Sequence, residues 1–473
     1  MRSQFKAQEA RYRVSQALNV LVSRHPEPRL QGSWIVMQLG LLLYPWMPTV
    51  GIVGMLLAVA GSWKQEWRTI IQRPLNWGLA ILSGWLIITC CFAYNRVEAF
   101  LGLANLLPYF LIFAAYSVLI QCPAQLRQLA KILVIGSLPV LIVGFGQLFL
   151  GWADKHLLPI VFGWVLEPKG NPPGRMASAF MYANILAAYL QMVLILGLGL
   201  WIEAFQAWRK IRNKFQVGQV LLLSIAVIGN AIALILTNSR NAWGIAVLAC
   251  LAFALYLGWR WIVLAVTAAA ATVLWASFGP EFGRQPLRSI VPAFLWARLS
   301  DQLYPDRPVA LMRKTQWQFA GTMIQERPWM GWGLRNFTPL YQDKMHLWLG
   351  HPHNLFLMLM AETGIPATLL FCGLIGWILA QAVVILRDWS DIKLPEPTSY
   401  WHQDKLIFFT YLVAFGGCTV FNLVDVTLFD LRVNTLVWLI LSAICGVVYR
   451  YRSLLLVRGN KGTNTERPIF SDE

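Results

Sequence analysis

Long apolar runs recur along almost the whole chain, and they limit its fold more than any other feature. A helix rises about 1.5 Å per residue, so it needs about 20 apolar residues to cross the hydrocarbon core of a bilayer. Backbone polar groups find no water there, so each run that crosses must be helical. About twelve runs occur, at residues 34–44, 50–63, 75–93, 99–120, 129–152, 180–205, 217–237, 242–259, 261–278, 354–386, 406–424 and 433–448. The sequence therefore predicts an all-α, polytopic bundle of about twelve transmembrane helices.

The distribution of basic residues indicates how such a bundle is oriented. The net charge is +17, although only 13% of the residues are charged, against about 25% in an average soluble protein. With a cytoplasmic N-terminus, 24 of the 39 Lys and Arg residues fall in inner segments and six in short outer ones. The long outer loop holds the other nine. This bias follows the positive-inside rule. It predicts a membrane protein with both termini in the cytoplasm, and it explains the charge without nucleic acid.

The runs divide the chain into five predicted segments. These are a basic, amphipathic cytoplasmic N-terminus (1–31), nine transmembrane helices (32–278), an extracytoplasmic, periplasmic loop (279–353), three further transmembrane helices (354–450) and a cytoplasmic tail (451–473). A mobile basic tail is the alternative for the N-terminus. In the long loop, apolar residues at helical spacing predict an amphipathic helix that ends before Pro328. A long outer loop with its own structure is more often functional than a linker.

Two arginines stand at predicted outer ends of spans. A turn of Pro172, Pro173 and Gly174 brings Arg175 to the mouth of the next helix. In a very short outer link, Ser239 and Arg240 precede another helix, whose N-terminus favours negative charge. Guanidinium groups suit a diphosphate or a small anion such as bicarbonate. The alternative for each is an arginine that reaches to the interface without binding a ligand.

The segment His351-Pro352-His353-Asn354 enters the next span. Asn354 is a residue type that caps helix N-termini, so His353 is expected at the entrance of the membrane. A neutral imidazole there could accept a proton from a hydroxyl. A capping and packing role is the alternative. Two histidines are too few to predict a metal site, and neither a metal nor another cofactor is predicted.

Four sequence elements form a recognisable set. They are Ser239-Arg240, the stretch from Arg313 through Pro328 to Gly331-Trp332-Gly333, His351-Pro352-His353-Asn354, and Glu362 with Gly364. Together they resemble the O-antigen ligase and polymerase (Wzy) superfamily over roughly residues 170–440. The whole chain also resembles the IctB-type branch, which is described as inorganic-carbon (bicarbonate) transporters.

The resemblance implies transfer of an undecaprenyl-diphosphate-linked glycan to an acceptor at the outer face of the inner membrane, without a metal. Arg175, Arg240 and Arg313 would then hold the diphosphate. His353 would orient or deprotonate the acceptor hydroxyl, with His351 beside it. Asn354 and Glu362 would support the histidine. In the loop, Arg298, Arg307 and Arg335 are rivals of Arg313 for the third position.

Three functions remain open from the sequence. A transferase would place its chemistry at the outer rim of the bundle. An ion-coupled bicarbonate carrier usually places polar residues near the middle of the bilayer, often in repeated halves. Asn230, Gln191 and Gln147 lie in predicted spans, but no central acid and no repeat accompany them. A non-catalytic partner in a membrane complex is the third possibility. The sequence favours the transferase, with a lipid-linked glycan or a small anion as ligand.

Overall fold

The structure, a computed structural model, describes residues 23–153, 164, 166–300, 302, 308–391 and 401–462. In these residues the secondary structure is helical, without strands. The first helices are α1 (Gln31–Leu43), α2 (Pro48–Gln72), α3 (Pro74–Cys91), α4 (Arg96–Gly102), α5 (Leu107–Leu119), α6 (Pro123–Phe149), α7 (Ala183–Ile211), α8 (Lys214–Leu236) and α9 (Arg240–Tyr256). They continue with α10 (Arg260–Phe278), α11 (Glu281–Ile290), α12 (Ala293–Leu299), α13 (Arg313–Glu326), α14 (Phe337–Met345), α15 (Leu355–Thr363), α16 (Ile365–Arg387), α17 (Trp401–Asn422) and α18 (Leu431–Gly462). The all-α fold is confirmed.

In the described ranges, nine helical segments are long and apolar enough to cross a membrane. They are Pro74–Cys91, Arg96–Leu119, Pro123–Phe149, Ala183–Lys210, Gln216–Leu236, Arg260–Phe278, Ile365–Arg387, Asp404–Asn422 and Leu431–Arg452. The other three predicted spans coincide with α1, α2 and α9. Of these, α1 has 13 residues and α9 has 17. The chain is therefore a multi-pass membrane protein, in which some helices are shorter than a full bilayer crossing.

Two helices form the centre of the bundle. The apolar windows of α7 and α18 are 83% and 89% buried inside the protein, whereas those of α10 and α16 are 11% and 17% buried. Moving an apolar side chain from lipid into protein changes its free energy little. The helices are therefore held together by van der Waals packing of complementary surfaces and by hydrogen bonds. The peripheral helices therefore present most of their apolar surface to lipid, while α7 and α18 are surrounded by other helices.

Both ends of the bundle carry connecting segments. One end, the site face, holds residues 92–98, 171–184, 237–240, 309–354 and 423–430. The other end, the opposite face, holds residues 119–123, 211–214 and 257–260 and the ends of α16 and α17 near residues 387–404. Successive helices run between these two faces in alternation, as the predicted spans require. The two faces differ in the amount of structure that they carry, because the site face alone bears the long loop.

The helix predicted within the long loop is present as α13, which ends at Glu326, two residues before Pro328. Its apolar face packs on α14 and α15, through Phe319, Phe337 and Tyr341. The loop is thereby fixed to the membrane helices at the site face.

The predicted span 354–386 is in fact two helices, α15 and α16. Gly364 separates them with φ +84°, and a Cβ at this position would lie 2.3 Å from the carbonyl oxygen of Trp329. A side chain would be strained there, so glycine is required. The break cannot be predicted from the apolar run, because hydropathy carries no information on backbone conformation. The helix predicted in the N-terminal segment lies outside the described residues, as does the end of the predicted tail.

Candidate functional site

An ionised acid and a histidine meet at the site face, next to the ends of α15 and α17. His353 Nδ1 lies 3.1 Å from Asp425 Oδ1, and the Asp425 side chain is 7% exposed. Burial alone would raise the pKa of Asp425, but the hydrogen bond from His353 and the nearby His351 outweigh burial and lower it. Asp425 is therefore a carboxylate near neutral pH, and it is a pure acceptor of hydrogen bonds.

This pairing fixes the tautomer of His353. A carboxylate cannot donate, so His353 Nδ1 must carry the hydrogen that it shares with Asp425. In the neutral imidazole, Nε2 is then the unprotonated nitrogen. The backbone of His353 has φ +51°, a left-handed conformation that histidine adopts at some energetic cost. The loop conformation thus presents an acceptor nitrogen with an ionised acid behind it.

His351 completes the cluster without forming a second short contact to the acid. The backbone N–H of His353 donates to His351 Nδ1 at 3.2 Å, so the hydrogen of neutral His351 resides on Nε2. That nitrogen lies 3.9 Å from Asp425 Oδ1, beyond hydrogen-bond distance. Burial, together with the charges of His353 and Arg313, lowers the pKa of His351 to about 4. His351 is therefore neutral at physiological pH.

A polar chain connects the acid to Arg175. Asn184 donates from Nδ2 to Asp425 Oδ2 at 2.9 Å, and its Oδ1 accepts from Arg175 Nη2 at 2.5 Å. Arg175 Nε also donates to the carbonyl of Thr237 at 2.7 Å. The turn predicted before Arg175 is present, with Gly174 at φ +81°. Residues from α7, the 171–178 loop and the α17–α18 connection therefore converge at one place.

Arg240 lies at the same corner as Arg175. It begins α9, three residues after the carbonyl of Thr237 that accepts from Arg175, and the backbone N–H of Met176 donates to Leu236 nearby. Ser239 occupies the N-cap position of α9, but its side chain forms no capping hydrogen bond. The first turn of α9, with its backbone donors, thus begins at the corner that holds Arg175.

Arg313 approaches the cluster from the long loop. It is the first residue of α13, and its positive charge is among the causes that lower the pKa of His351. Trp317, one turn later, donates from Nε1 to the carbonyl of Pro352 at 3.0 Å and so anchors α13 to the histidine segment. Among its rivals, Arg335 pairs with Glu98 at 3.1 Å. The side chain of Arg298 and the whole of Arg307 lie outside the described residues. The geometry therefore favours Arg313.

The two residues expected to support His353 form different contacts. Asn354 caps α15, as predicted: Oδ1 accepts from the backbone of Leu357 at 3.0 Å, and Nδ2 donates to the carbonyl of Leu423 at 2.9 Å. It thereby holds the histidine segment next to the connection that carries Asp425. Glu362 is fully buried, and its Oε1 accepts from the backbone N–H of Phe337 at 3.1 Å. Burial raises the pKa of Glu362 to about 7. Glu362 orders the turn before α14.

Sequence reasoning missed Asp425. It lies three residues beyond the end of α17, in the short connection to α18. The sequence predicts the connection, but an acid that follows directly on an apolar run does not by itself indicate a site. Its position at the same predicted membrane face as His353 was the signal available. Which histidine it would contact depends on how the folded bundle brings the 351–354 segment to the α17–α18 connection, which no sequence pattern specifies.

The cluster also has the composition of a small metal site. His351, His353 and Asp425 each place one potential ligand atom within 4.8 Å of the others. Two imidazoles and one carboxylate would suit Zn²⁺ or another transition metal if the hydrogen on His353 Nδ1 were displaced. The same atoms already satisfy one another as a hydrogen-bonded pair with a neighbouring imidazole. Both uses of the trio are chemically consistent with its geometry.

Residues 225–372 match the O-antigen ligase family. The matched stretch includes Arg240, Arg313, His353 and Glu362 and covers less than half of the chain; Arg175 and Asp425 lie outside it. Among curated proteins, none matches the sequence. The chain is therefore a multi-pass membrane protein that is similar to O-antigen ligases over this stretch.

Proposed function

We propose that this protein is a glycosyltransferase that moves a glycan from a polyprenyl-diphosphate carrier to a hydroxyl acceptor at the site face. The observation that carries this proposal is the ionised Asp425 bound to His353 Nδ1, which leaves Nε2 able to accept a proton. The match to O-antigen ligases supports the reaction class. Undecaprenyl diphosphate is the carrier that the family resemblance suggests, and the periplasmic side of a bacterial inner membrane is the proposed location.

In the proposed reaction, the acceptor oxygen attacks the anomeric carbon of the glycan. A new C–O bond forms as the bond between that carbon and the diphosphate oxygen breaks. The acceptor proton passes to His353 Nε2, and the diphosphate leaves with the electron pair. Asp425 stabilises the imidazolium that results, because its carboxylate already accepts from Nδ1. General-base assistance of this kind typically accelerates a reaction by about 10²–10⁴-fold.

The basic residues would bind the leaving group. Arg175 is connected to Asp425 through Asn184, the charge of Arg313 acts on His351, and Arg240 begins the helix next to the Thr237 carbonyl that Arg175 contacts. Guanidinium forks match diphosphate oxygens. The backbone donors at the start of α9 add to this positive field. Hydrogen-bond donors that are already oriented would stabilise the negative charge that develops on a diphosphate bound here. His351 stays neutral, so it adds no competing charge next to His353.

The test is to measure the release of polyprenyl diphosphate from a lipid-linked glycan donor by purified protein in proteoliposomes. We expect His353→Asn to reduce the rate by about 10²–10⁴-fold. Asparagine tolerates positive φ, so the backbone is preserved. Arg240→Ala should reduce the rate by about 10²–10³-fold.

The control is His346→Asn, an exposed histidine that also has positive φ (+53°). Equal release by wild type, His353→Asn and Arg240→Ala would contradict the proposal. Sensitivity to chelators would assign the trio to a metal instead.

Bicarbonate transport remains the second hypothesis from the sequence, and the polar residues in the spans bear on it. Asn230 donates to Ser137 and to the backbone of Ala226, while Gln147 accepts from two backbone N–H groups of the 177–178 turn. These contacts support roles in packing rather than in a transport path. Uptake of labelled bicarbonate into proteoliposomes under an ion gradient, above that of empty liposomes, would favour the carrier.

A further inference from the structure

An apolar cleft lies directly below the histidine–aspartate pair. It has a volume of about 210 Å³ and lies between α16, α17 and α18. Its lining includes Cys372 and Gly376 of α16, Phe415 and Cys418 of α17, and Trp438 of α18. These residues belong to the halves of the three helices that are nearest the site face. The cleft therefore lies in one leaflet, at the depth of lipid chains attached to headgroups at the site face.

Both walls at the top of the cleft continue into the catalytic pair. One wall includes Leu355 and Phe356, which follow His353 and Asn354 in the chain. The other includes Asn422, Thr427 and Leu428, which flank Asp425. Asn422 Oδ1 accepts from the backbone N–H of Thr427 at 3.1 Å and thereby shapes the turn that carries the acid. A molecule that fills the cleft must therefore emerge beside the pair.

We infer that this cleft binds the first isoprene units of the polyprenyl chain of the donor, and thus aligns the diphosphate with His353. The inference rests on the proposed function. The diphosphate is attached to the end of the hydrocarbon chain, so a headgroup held at the pair requires an apolar path that begins there. The cleft provides such a path, with an apolar lining and a mouth shared with the site. An acyl chain of a phospholipid is the alternative occupant.

The cleft reaches the lipid-facing surface at Gly376. This glycine is exposed on α16, and a Cβ at its position would meet no atom within 4 Å. A larger side chain at residue 376 can therefore occupy the cleft without displacing the helices. Gly373, one turn earlier on the same helix, is also exposed and also has open space around a Cβ, but it is not part of the cleft lining. The two glycines form a matched pair for substitution.

The first experiment compares G376L with G373L for donors of different chain length. For a long-chain donor, we expect G376L to raise KM about tenfold, since a few buried methylene groups are displaced, with kcat little changed. G373L should resemble wild type. For a donor with two isoprene units, whose chain is too short to use the cleft fully, the difference should shrink. Equal KM values for both variants with the long-chain donor would overturn the inference, while leaving the proposed transfer intact.

The second experiment reads occupancy without transfer. Cys372 lines the cleft, whereas Cys250 is exposed on α9 outside it. We expect undecaprenyl diphosphate, without a glycan, to slow alkylation of Cys372 by a membrane-permeant maleimide and to leave Cys250 unaffected. Equal alkylation rates with and without undecaprenyl diphosphate would contradict the inference. Equal protection by phosphatidylethanolamine vesicles alone would assign the cleft to bulk lipid. If Cys372 is protected but wild type releases no diphosphate, the proposed function fails and the lipid site stands.

Discussion

The helices α7 and α17 carry a charged cluster at each of their two ends, and the clusters are built differently. At the opposite face, Arg127 binds Glu203 of α7 at 2.7 Å and Asp404 of α17 at 2.9 Å. At the site face, Asn184 of α7 binds Asp425, which follows α17, and Asp425 binds His353. One guanidinium satisfies both acids in the first cluster. In the second, the acid is satisfied by a neutral amide and an imidazole.

This difference separates a structural cluster from a chemical one. Guanidinium does not lose its proton in proteins, so the arginine that pairs with both acids of the first cluster cannot exchange a proton with them. A buried acid that is paired with histidine holds an imidazole in place, and an imidazole can serve as a general base. The same two helices are therefore held together at both ends, but of these two clusters only the one at the site face contains an imidazole.

The strongest test of this contrast is to make the same change at each end. We expect Asp425→Asn to lower the rate of diphosphate release by about 10²-fold, because the amide cannot stabilise an imidazolium as a carboxylate does. We expect Asp404→Asn to preserve the rate and to lower the free energy of unfolding by about 1.5–3 kcal/mol, because Arg127 loses one charged partner. Thermal unfolding in detergent and the release assay measure both effects. A comparable loss of activity in the two variants would remove the distinction.

A second test uses pH. The pKa of His351 falls from an ordinary 6.5 to about 4 in the folded protein, mainly through burial. Between these values the unfolded chain binds a proton that the folded one does not, so stability must fall as pH decreases from about 6.5 to 4. His351→Gln should lose less stability over this interval. Thermal midpoints at pH 7 and pH 4.5 provide the measurement, with exposed His346→Asn as control. An identical pH dependence in His351→Gln and wild type would show that His351 does not carry this effect.

Glu362 offers a third kind of buried acid, whose side chain accepts from a backbone N–H. Burial raises its pKa from an ordinary 4.5 to about 7, so the folded protein holds the proton more tightly than the unfolded chain does. Stability should therefore decrease as pH rises from 4.5 to 7. We expect Glu362→Gln, which can still accept from Phe337, to flatten this decrease by a small amount in the thermal midpoint. Exposed Glu326→Gln is the matched control, and a flattening of equal size there would argue against a special state of Glu362.

The helical bundle was predictable because a bilayer permits few alternatives. Each of the twelve predicted runs falls on helical structure, and α13 lies where the spacing of Phe319 and Met323 places it. The run 99–120 comprises α4 and α5, and the run 354–386 comprises α15 and α16. The division between α15 and α16 was missed, because only the φ of Gly364 reveals it.

The candidate site was predictable in its residue types more than in its contacts. Positions at span ends predict Arg175 and His353 as site residues, and the structure connects them through Asn184 and Asp425. Neither connection follows from spacing along the chain, since Asn184 and Asp425 are 241 positions apart. Such pairs depend on which helices become neighbours, and α7 meets α17 only in the folded bundle.

Asn184 lies between a positive and a negative side chain, Arg175 and Asp425. Its amide oxygen accepts a hydrogen bond from Arg175, and its amide nitrogen donates one to Asp425. One neutral side chain thus bridges the two charged groups. A direct arginine–aspartate ion pair would partly neutralise the carboxylate. The carboxylate would then stabilise the His353 imidazolium less. Because the Asn184 amide is neutral, Asp425 keeps its charge available to His353 and Arg175 keeps its charge available to an anion.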